Sequence, residues 1–387
     1  MTDQALATYA VSPNKIRAKQ YYEESGVLKY RGVFDIDRDR IINSAAFRRL
    51  QYKTQVFVND QGDHYRTRLT HTLEMVQIAR WIAKALKVNE DLAETISLAH
   101  DLGHPPFGHA GEDALNQKMI NFSGFSHNAH TLKLITKIEK RFIGFNGLNL
   151  SYETLEGLVK HNGAIRDVAK ISRYIYDFNC DFDLNLHLNP SLEAQISAIS
   201  DDIAYNNHDL EDGLRAKLFN IEDLMAIPLV GDIYYEIIKN NPDIRQELLV
   251  SEAKKYLTFA MVDDVINQTY FNLQKNHIQT LEDINLMERF MVEFSPAMQE
   301  VYLALKNFLT TKMYRHFEVN KMTQNAHNIV NYLFDDLMAN PQKLPPEYFR
   351  LWQDNPSQEN CAEIVCDYIA GMTDRYALKN FNNVKTF

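Results

Sequence analysis

An all-α fold is predicted by three features of the sequence. Only 14 of 387 residues are glycine and 11 are proline, roughly half the combined share of an average globular chain, which excludes turn-rich sandwiches, barrels and collagen-like repeats. Apolar residues recur every three or four positions along most of the chain, the period of a helix with one buried face. No repeat and no Gly/Ser/Pro-rich linker interrupts that pattern, so the helices are expected to form one unit. A hydrophobic fraction of 45%, with 11% aromatic residues, supplies a real core and excludes disorder.

The elements follow in order. From Thr67 to Val88 the residues Leu69, Leu73, Val76, Ala79, Ile82, Ala83 and Leu86 make one helical stripe. Asn89 caps a second helix with Glu90 and Asp91 in its first turn, and Gly103 with Pro105-Pro106 ends it just after His100-Asp101. Helices are expected over 109–119, 127–140 and 152–161, with Asn146-Gly147 predicting a small β-hairpin inserted between the last two. Ser191 opens a helix reaching Asp209, apolar along Leu192, Ile196, Ile199 and Ile203 and acidic on its other face. Helical periodicity continues through 247–275, 299–313, 326–338 and 360–377. The expected organisation is a segment 1–30 packed on a core of 31–215, with 216–387 belonging to the same unit and adding to the pocket.

Charge and cysteine usage narrow the setting. A net charge of −10 weighs against a nucleic-acid coat protein. The cysteines, Cys180, Cys361 and Cys366, are odd in number and lack a Cys-x-x-Cys spacing, which suits a reducing compartment. Met1-Thr2-Asp3-Gln4 does not begin a secretory signal, and no apolar run is long enough to span a membrane, so a cytoplasmic location is expected.

Histidine is concentrated: seven of thirteen lie between His64 and His130, and His100, His104, His109, His127 and His130 share that stretch with Asp101 and Glu112. Crowded imidazoles and carboxylates are costly to bury without a cation or an anionic ligand to organise them. Nitrogen and oxygen donors with no nearby cysteine suit Mn, Fe, Ni, Co or Zn, with Mg at an oxygen-rich second position, rather than a thiolate zinc site. His71 lies early on its helix and His100-Asp101 at the end of the next. Adjacent residues of an ideal helix point about 100° apart, so both can reach one ion only where the helix is ending. Asp201 is the preferred fourth ligand, since it stacks with Tyr205 and Asp209 at a spacing of four. Asp202 is its rival but lacks that register, and is expected to be exposed or to back the site; a solvated acidic stripe is the plain alternative for this face.

The order His71, His100-Asp101, Asp201 resembles the H…HD…D signature of the HD-domain superfamily. Longer words narrow the resemblance: Phe47 to Phe57 (FRRLQYKTQVF), Arg66 to His71 (RTRLTH), His100 to His109 (HDLGHPPFGH), Asp201 to Tyr205 (DDIAY) and Asp367 to Tyr376 (DYIAGMTDRY). Together they resemble the bacterial dGTP triphosphohydrolase family, most nearly its shorter, dGTPase-like branch, over Arg31 to Tyr376. Pro105 stands where the family more often has Thr, a loop change that leaves the ligands untouched.

The resemblance implies an HD-domain helical bundle that uses a divalent metal to cleave deoxynucleoside triphosphates, dGTP or more broadly, into deoxynucleoside and inorganic triphosphate. His109 and Glu112 fall where the related vertebrate SAM-and-HD dNTPase carries its catalytic histidine and acid, and would protonate the leaving alkoxide. His127 matches a further active-site histidine, while His104 and His130 would back the metal or touch phosphate. Arg68 is the matching phosphate cation, with Arg66, Lys160 and Arg375 as weaker candidates. Gln55, Tyr205 and Asp209 match positions around the deoxyribose, and the Met372–Tyr376 segment would wall the base. The family also implies a homo-oligomer, with single-stranded DNA or a second nucleotide as regulatory partners. Two readings compete: an HD phosphohydrolase acting on a monophosphate or phosphodiester, and a nucleotide-sensing or nucleic-acid-binding protein with residual catalysis.

Overall fold

Every regular element among the described residues is helical. The computed structural model describes residues 5–14, 16–21, 31–55, 66–167 and 171–385, without the side chains of 384 and 385. Helices α1 (Val33–Ile42), α2 (Ala45–Arg49), α3 (Arg68–Leu86) and α4 (Glu90–Ala99) precede the His100-Asp101 loop. After it come α5 (Gly108–Met119), α6 (His127–Lys133), α7 (Tyr152–Val159), α8 (Arg173–Asp181) and α9 (Leu192–Arg215). The second half holds α10 (Ile221–Leu224), α11 (Val230–Asn240), α12 (Gln246–Lys275), α13 (Leu281–Leu286) and α14 (Pro296–Leu309), then α15 (Phe317–Ala339), α16 (Pro346–Asp354), α17 (Gln358–Ala370) and α18 (Asp374–Lys385).

Local chemistry sets the helices that matter. Thr67, Asn89 and Ser191 cap α3, α4 and α9 by accepting backbone N–H groups from their first turns. Helix α3 buries Ile78, Ile82 and Leu86 against Leu192, Ile196 and Ile203 of α9 and Leu257, Met261 and Val265 of α12, while Leu73 of the expected stripe is exposed; each such buried side chain contributes about 1.5–3 kcal/mol. A second core gathers Phe34, Leu92, Ile96, Leu102 and Leu155 around α4. A third joins Leu115 and Met119 of α5 to Val330 and Phe334 of α15 and Val365 and Ile369 of α17. The ends of α3 and α4 and the middle of α9 are thereby held against each other.

The expected hairpin is not present. Lys140 and Gly147 make one isolated parallel bridge, and no strand extends from it. The N–H groups of Gly147 and Leu148 turn back to Glu139 O and Ile135 O at 2.8 and 2.6 Å instead of pairing two strands. Gly147 crosses so close to the preceding helical turn that a Cβ would lie 2.6 Å from Ile135 O. Phe142 and Phe145 stack on each other with the Arg40 guanidinium over both rings, so they are spent on a local cluster and not on a sheet face.

Other boundaries differ in smaller ways. The 127–140 helix closes as α6 plus one wide turn, Leu134–Ile138, α9 continues past Asp209 to Arg215, and 360–377 divides at Gly371 into α17 and α18. Of the N-terminal segment, residues 1–4, 15 and 22–30 lie outside the described residues, as do Val56, Phe57 and His64. Among its described residues, the Val11 N–H donates to Glu193 at 2.9 Å and the Arg17 N–H to Glu153 at 2.8 Å.

The far end of the chain fastens the loop that follows α4. Lys53 Nζ donates to His104 O and, at 2.9 Å, to Ala370 O. The Asp374 carboxylate accepts from the Thr54 hydroxyl, from Thr54 N at 2.9 Å and from Phe107 N at 2.9 Å. Words from three parts of the sequence thus meet behind the candidate site.

Candidate active site and metal centre

His71, His100 and Asp201 arrive from α3, the end of α4 and the middle of α9, and one ligand atom from each lies within 4.8 Å of the others. His71 Nε2 is 2.8 Å from Asp201 Oδ1, and His100 Nε2 is 3.9 Å from the same oxygen. Both imidazoles are buried, while the Asp201 side chain is 40% exposed and opens the group to solvent. Helix α4 closes at Ala99, slightly ahead of the expected end, with His100 in helical conformation one position beyond. Asp101 approaches the same nitrogen of His100, its Oδ1 3.4 Å from His100 Nε2 and 3.2 Å from His104 Nε2.

Whether these residues suit a cation can be judged from their unpaired atoms. His100 Nδ1 lies 2.7 Å from Ser97 O, which can only accept, so that nitrogen carries a proton and Nε2 is the atom turned toward the carboxylates. Nε2 faces these two carboxylates without a hydrogen-bond partner. His71 Nε2 likewise lacks an aligned partner despite its short approach to Asp201. Buried acceptors turned toward one point, with nitrogen and oxygen but no sulfur, make a donor set that fits a divalent ion. In its absence burial works against a charge on His71, but Asp201 turns the imidazole pKa upward. Asp201 itself is held well below the usual carboxylate range by His71, against the effect of burial.

Arg68, one turn ahead of His71, is buried with its Nη1 2.5 Å from Asp101 Oδ2. Burial penalises the Asp101 anion, but Arg68, with His100 and His104, lowers its pKa well below the ordinary value. Gln55 lies beside the loop, its carbonyl 3.6 Å from where a Cβ on Gly108 would be and its buried Oε1 without a partner.

A second histidine group adjoins the first. Glu112 accepts the His127 backbone N–H at 2.8 Å, faces its Nδ1 at 2.9 Å and faces His109 Nδ1 at 3.3 Å. The His104 ring stacks on His127, centroids 3.9 Å apart. Burial would raise the Glu112 pKa, yet contacts with His109 and His127 hold it well below the usual range. Two glycines permit this closeness: a Cβ on Gly103 would lie 2.2 Å from His127 O, and one on Gly111 would lie 1.9 Å from Pro106 O.

Tyr205 and Asp209 continue the face of α9 that begins at Asp201. Burial lifts the Asp209 carboxyl to about 7, although the Tyr314 hydroxyl donates to its Oδ2. Asp202 turns away and accepts from the Tyr302 hydroxyl at 2.8 Å.

Three expected cations are engaged elsewhere. Lys160 binds Glu156 at 2.5 Å and donates to Leu188 O at 2.9 Å, because the spacing of four along α7 turns it back on its own helix. Its neighbour His161 is the residue influenced by His100, His127 and Asp201, although burial is the main cause of its lowered pKa. Arg66 is held by Glu74, Glu211 and Asp212, and Arg375 lies over the Tyr52 ring. His130 points its Nδ1 at Gly103 O, 2.9 Å away, and so braces the loop. Sequence reasoning missed His161, Tyr314 and His208. Only His208 carried a signal: it lies seven residues beyond Asp201, on the same face of α9.

An all-helical chain with this histidine–aspartate arrangement is a phosphohydrolase of the HD type: residues 68–206 match the HD domain, and 292–383 match the phosphohydrolase-associated domain. The chain is 47% identical over 382 residues to a deoxyguanosinetriphosphate triphosphohydrolase-like protein of Parvibaculum lavamentivorans, covering 97% of this chain and 95% of that one. A protein of the same description from Rickettsia felis is 44% identical over 379 residues, 98% of each chain. The chain belongs to the family of deoxyguanosinetriphosphate triphosphohydrolase-like proteins. A crystal structure of a hypothetical protein from Aquifex aeolicus aligns over 80% of this chain and 79% of that one, at 18% identity and a TM-score of 0.28, too distant to add to this.

Proposed function

We propose that the protein hydrolyses deoxynucleoside triphosphates to deoxynucleoside and inorganic triphosphate. The observation that carries this reading is the pair of buried, unpartnered Nε2 atoms of His71 and His100 converging on Asp201, beside the Glu112 histidine group. His71, His100, Asp101 and Asp201 would hold a divalent cation, which when bound supplies Lewis-acid activation of the α-phosphate and of water.

The remaining work falls to the chain's own groups. Arg68, already fixed by Asp101, would offer its outer guanidinium edge to the triphosphate. His109 is exposed, with the Glu112 carboxylate 3.3 Å from its Nδ1, and would hand a proton to the departing 5′-oxygen. His127 shares that carboxylate and would orient the same proton path. Tyr205 and Gln55 would border the deoxyribose. Asp209, held by Tyr314, would meet the 3′-hydroxyl, so that a ribose 2′-hydroxyl finds no room. The names of the relatives support a triphosphate substrate with guanine among the bases accepted.

The test is to incubate the full chain with each deoxynucleoside and ribonucleoside triphosphate and Mn2+, and to separate the products. Release of inorganic triphosphate from deoxy substrates supports the reading. Pyrophosphate or orthophosphate as the product would replace it with another phosphohydrolase activity.

A further inference from the structure

Behind the His71 ring stands a second buried imidazole. His71 Nδ1 lies 2.8 Å from His208 Nε2, the rings edge to face at 85° with centroids 4.9 Å apart. On its far side His208 Nδ1 is 2.9 Å from Asp209 Oδ1, off the line of a well-aligned hydrogen bond, and Asp209 Oδ2 accepts from the Tyr314 hydroxyl. His71, His208 and Asp209 are all completely buried. A single file therefore runs from the cation position through two imidazoles to the carboxylate assigned to the sugar.

With both rings neutral, such a file can be polarised in two ways. If His71 Nε2 is a bare lone pair, Nδ1 carries the proton and donates it to His208 Nε2; His208 then bears its own proton on Nδ1, facing Asp209 Oδ1. In the reverse sense His71 Nε2–H points at Asp201 Oδ1, 2.8 Å away, and leaves no lone pair for a cation. Only the first sense leaves His71 Nε2 open toward a cation.

We infer that His208 is a positioning residue: it accepts the Nδ1–H of His71, fixes that tautomer with Nε2 open toward a divalent cation, and links the cation position to Asp209. The inference rests on the metal site proposed above. Partners that hold the outer nitrogen of a metal-binding imidazole typically govern affinity by about 10–100-fold.

The test titrates the full chain with Mn2+ alone, without nucleotide, following binding by calorimetry. His208→Leu removes the acceptor. His208→Asn places its amide near Asp209 but short of His71, whereas His208→Gln carries an amide oxygen out to the position of Nε2. The Leu and Asn variants should bind Mn2+ about 10–100-fold more weakly, with the Gln variant close to wild type. Long-range proton–nitrogen NMR correlations of the metal-free histidine rings give a second readout: His71 protonated on Nδ1 in the wild type and the Gln variant, mixed tautomers in the Asn variant. Should the Leu variant not fold, the Asn and Gln variants, alike in polarity, decide. Equal Mn2+ affinity in all folded variants, with wild type binding normally, overturns the role of His208 and leaves the metal site standing. A wild-type chain that binds no divalent ion removes both.

Discussion

Glu112 holds His127 twice, accepting its backbone N–H at 2.8 Å and facing its ring Nδ1 at 2.9 Å. One carboxylate thereby sets both the start of α6 and the direction of the imidazole that heads it, while also supporting His109. Glu112→Gln keeps the shape and removes the charge. We expect it to lower kcat by about 10²–10⁴-fold, with little change in KM and unaltered Mn2+ binding. Steady-state kinetics beside a metal titration separates these; a matching rise in KM would point to substrate binding instead.

The ligand set makes a prediction about ion content. His71→Ala and Asp201→Asn should each weaken Mn2+ binding by at least the roughly 100-fold that an outer contact alone can cost, and turnover should fall in step. Exhaustive chelation of the wild-type protein should abolish triphosphate release, and added Mn2+ should restore it. Full activity in a protein shown by elemental analysis to be metal-free would contradict the assignment.

Arg68 and Asp101 are both buried and paired at 2.5 Å. Removing one member leaves an uncompensated interior charge, so Arg68→Leu should destabilise the metal-free fold by about 3–5 kcal/mol. Arg68→Lys retains the charge but loses the planar fork, and should raise KM more than it lowers kcat. Urea unfolding and initial rates provide the comparison.

A pH effect on stability follows from His130, which burial pushes down from 6.5 to about 3. Between those values the unfolded chain binds a proton that the native ring refuses, so stability falls on acidification and recovers as pH rises. The single-site slope approaches ~1.4 kcal/mol per pH unit within that window. His130→Gln should show a shallower fall between about pH 7 and about pH 5 in urea midpoints. Parallel curves would mean that the ring titrates normally in the native state.

Asp374 lies on α18 and accepts from Thr54 and Phe107 in the other half of the chain. Asp374→Leu strands those buried donors, at about 1–3 kcal/mol for each one left unsatisfied. The thermal midpoint should drop, and nucleotide affinity should weaken with it because the loop from His104 to Phe107 loses its anchor. A variant with wild-type stability would show that the loop holds itself.

What could be read from the sequence was whatever a helix repeats. His71, His100, Asp101 and Asp201 stand out because helical registers and a helix stop bring unlike residues to one level, and Glu112 declares itself by its distance from His109. The same rule would have placed His208 seven beyond Asp201, and would have spent Lys160 on Glu156. Contacts without a local period were hidden. Nothing near Lys53 announces that it will end on Ala370, and nothing near Asp209 points to Tyr314. The Asn146-Gly147 signal failed for a related reason: a turn sequence makes a hairpin only when its flanks have a face to bury, and here Phe142 and Phe145 pack on one another.

Lys53 and Thr54 reach partners 317 and 320 positions downstream. Closing contacts of such separation is slow and depends on the last segments of the polypeptide. During synthesis the ribosome must release nearly the entire chain before the loop beside the ligands is locked from behind. A product terminated just before Ala370 would carry every histidine of the site and still lack the contacts that lock the loop.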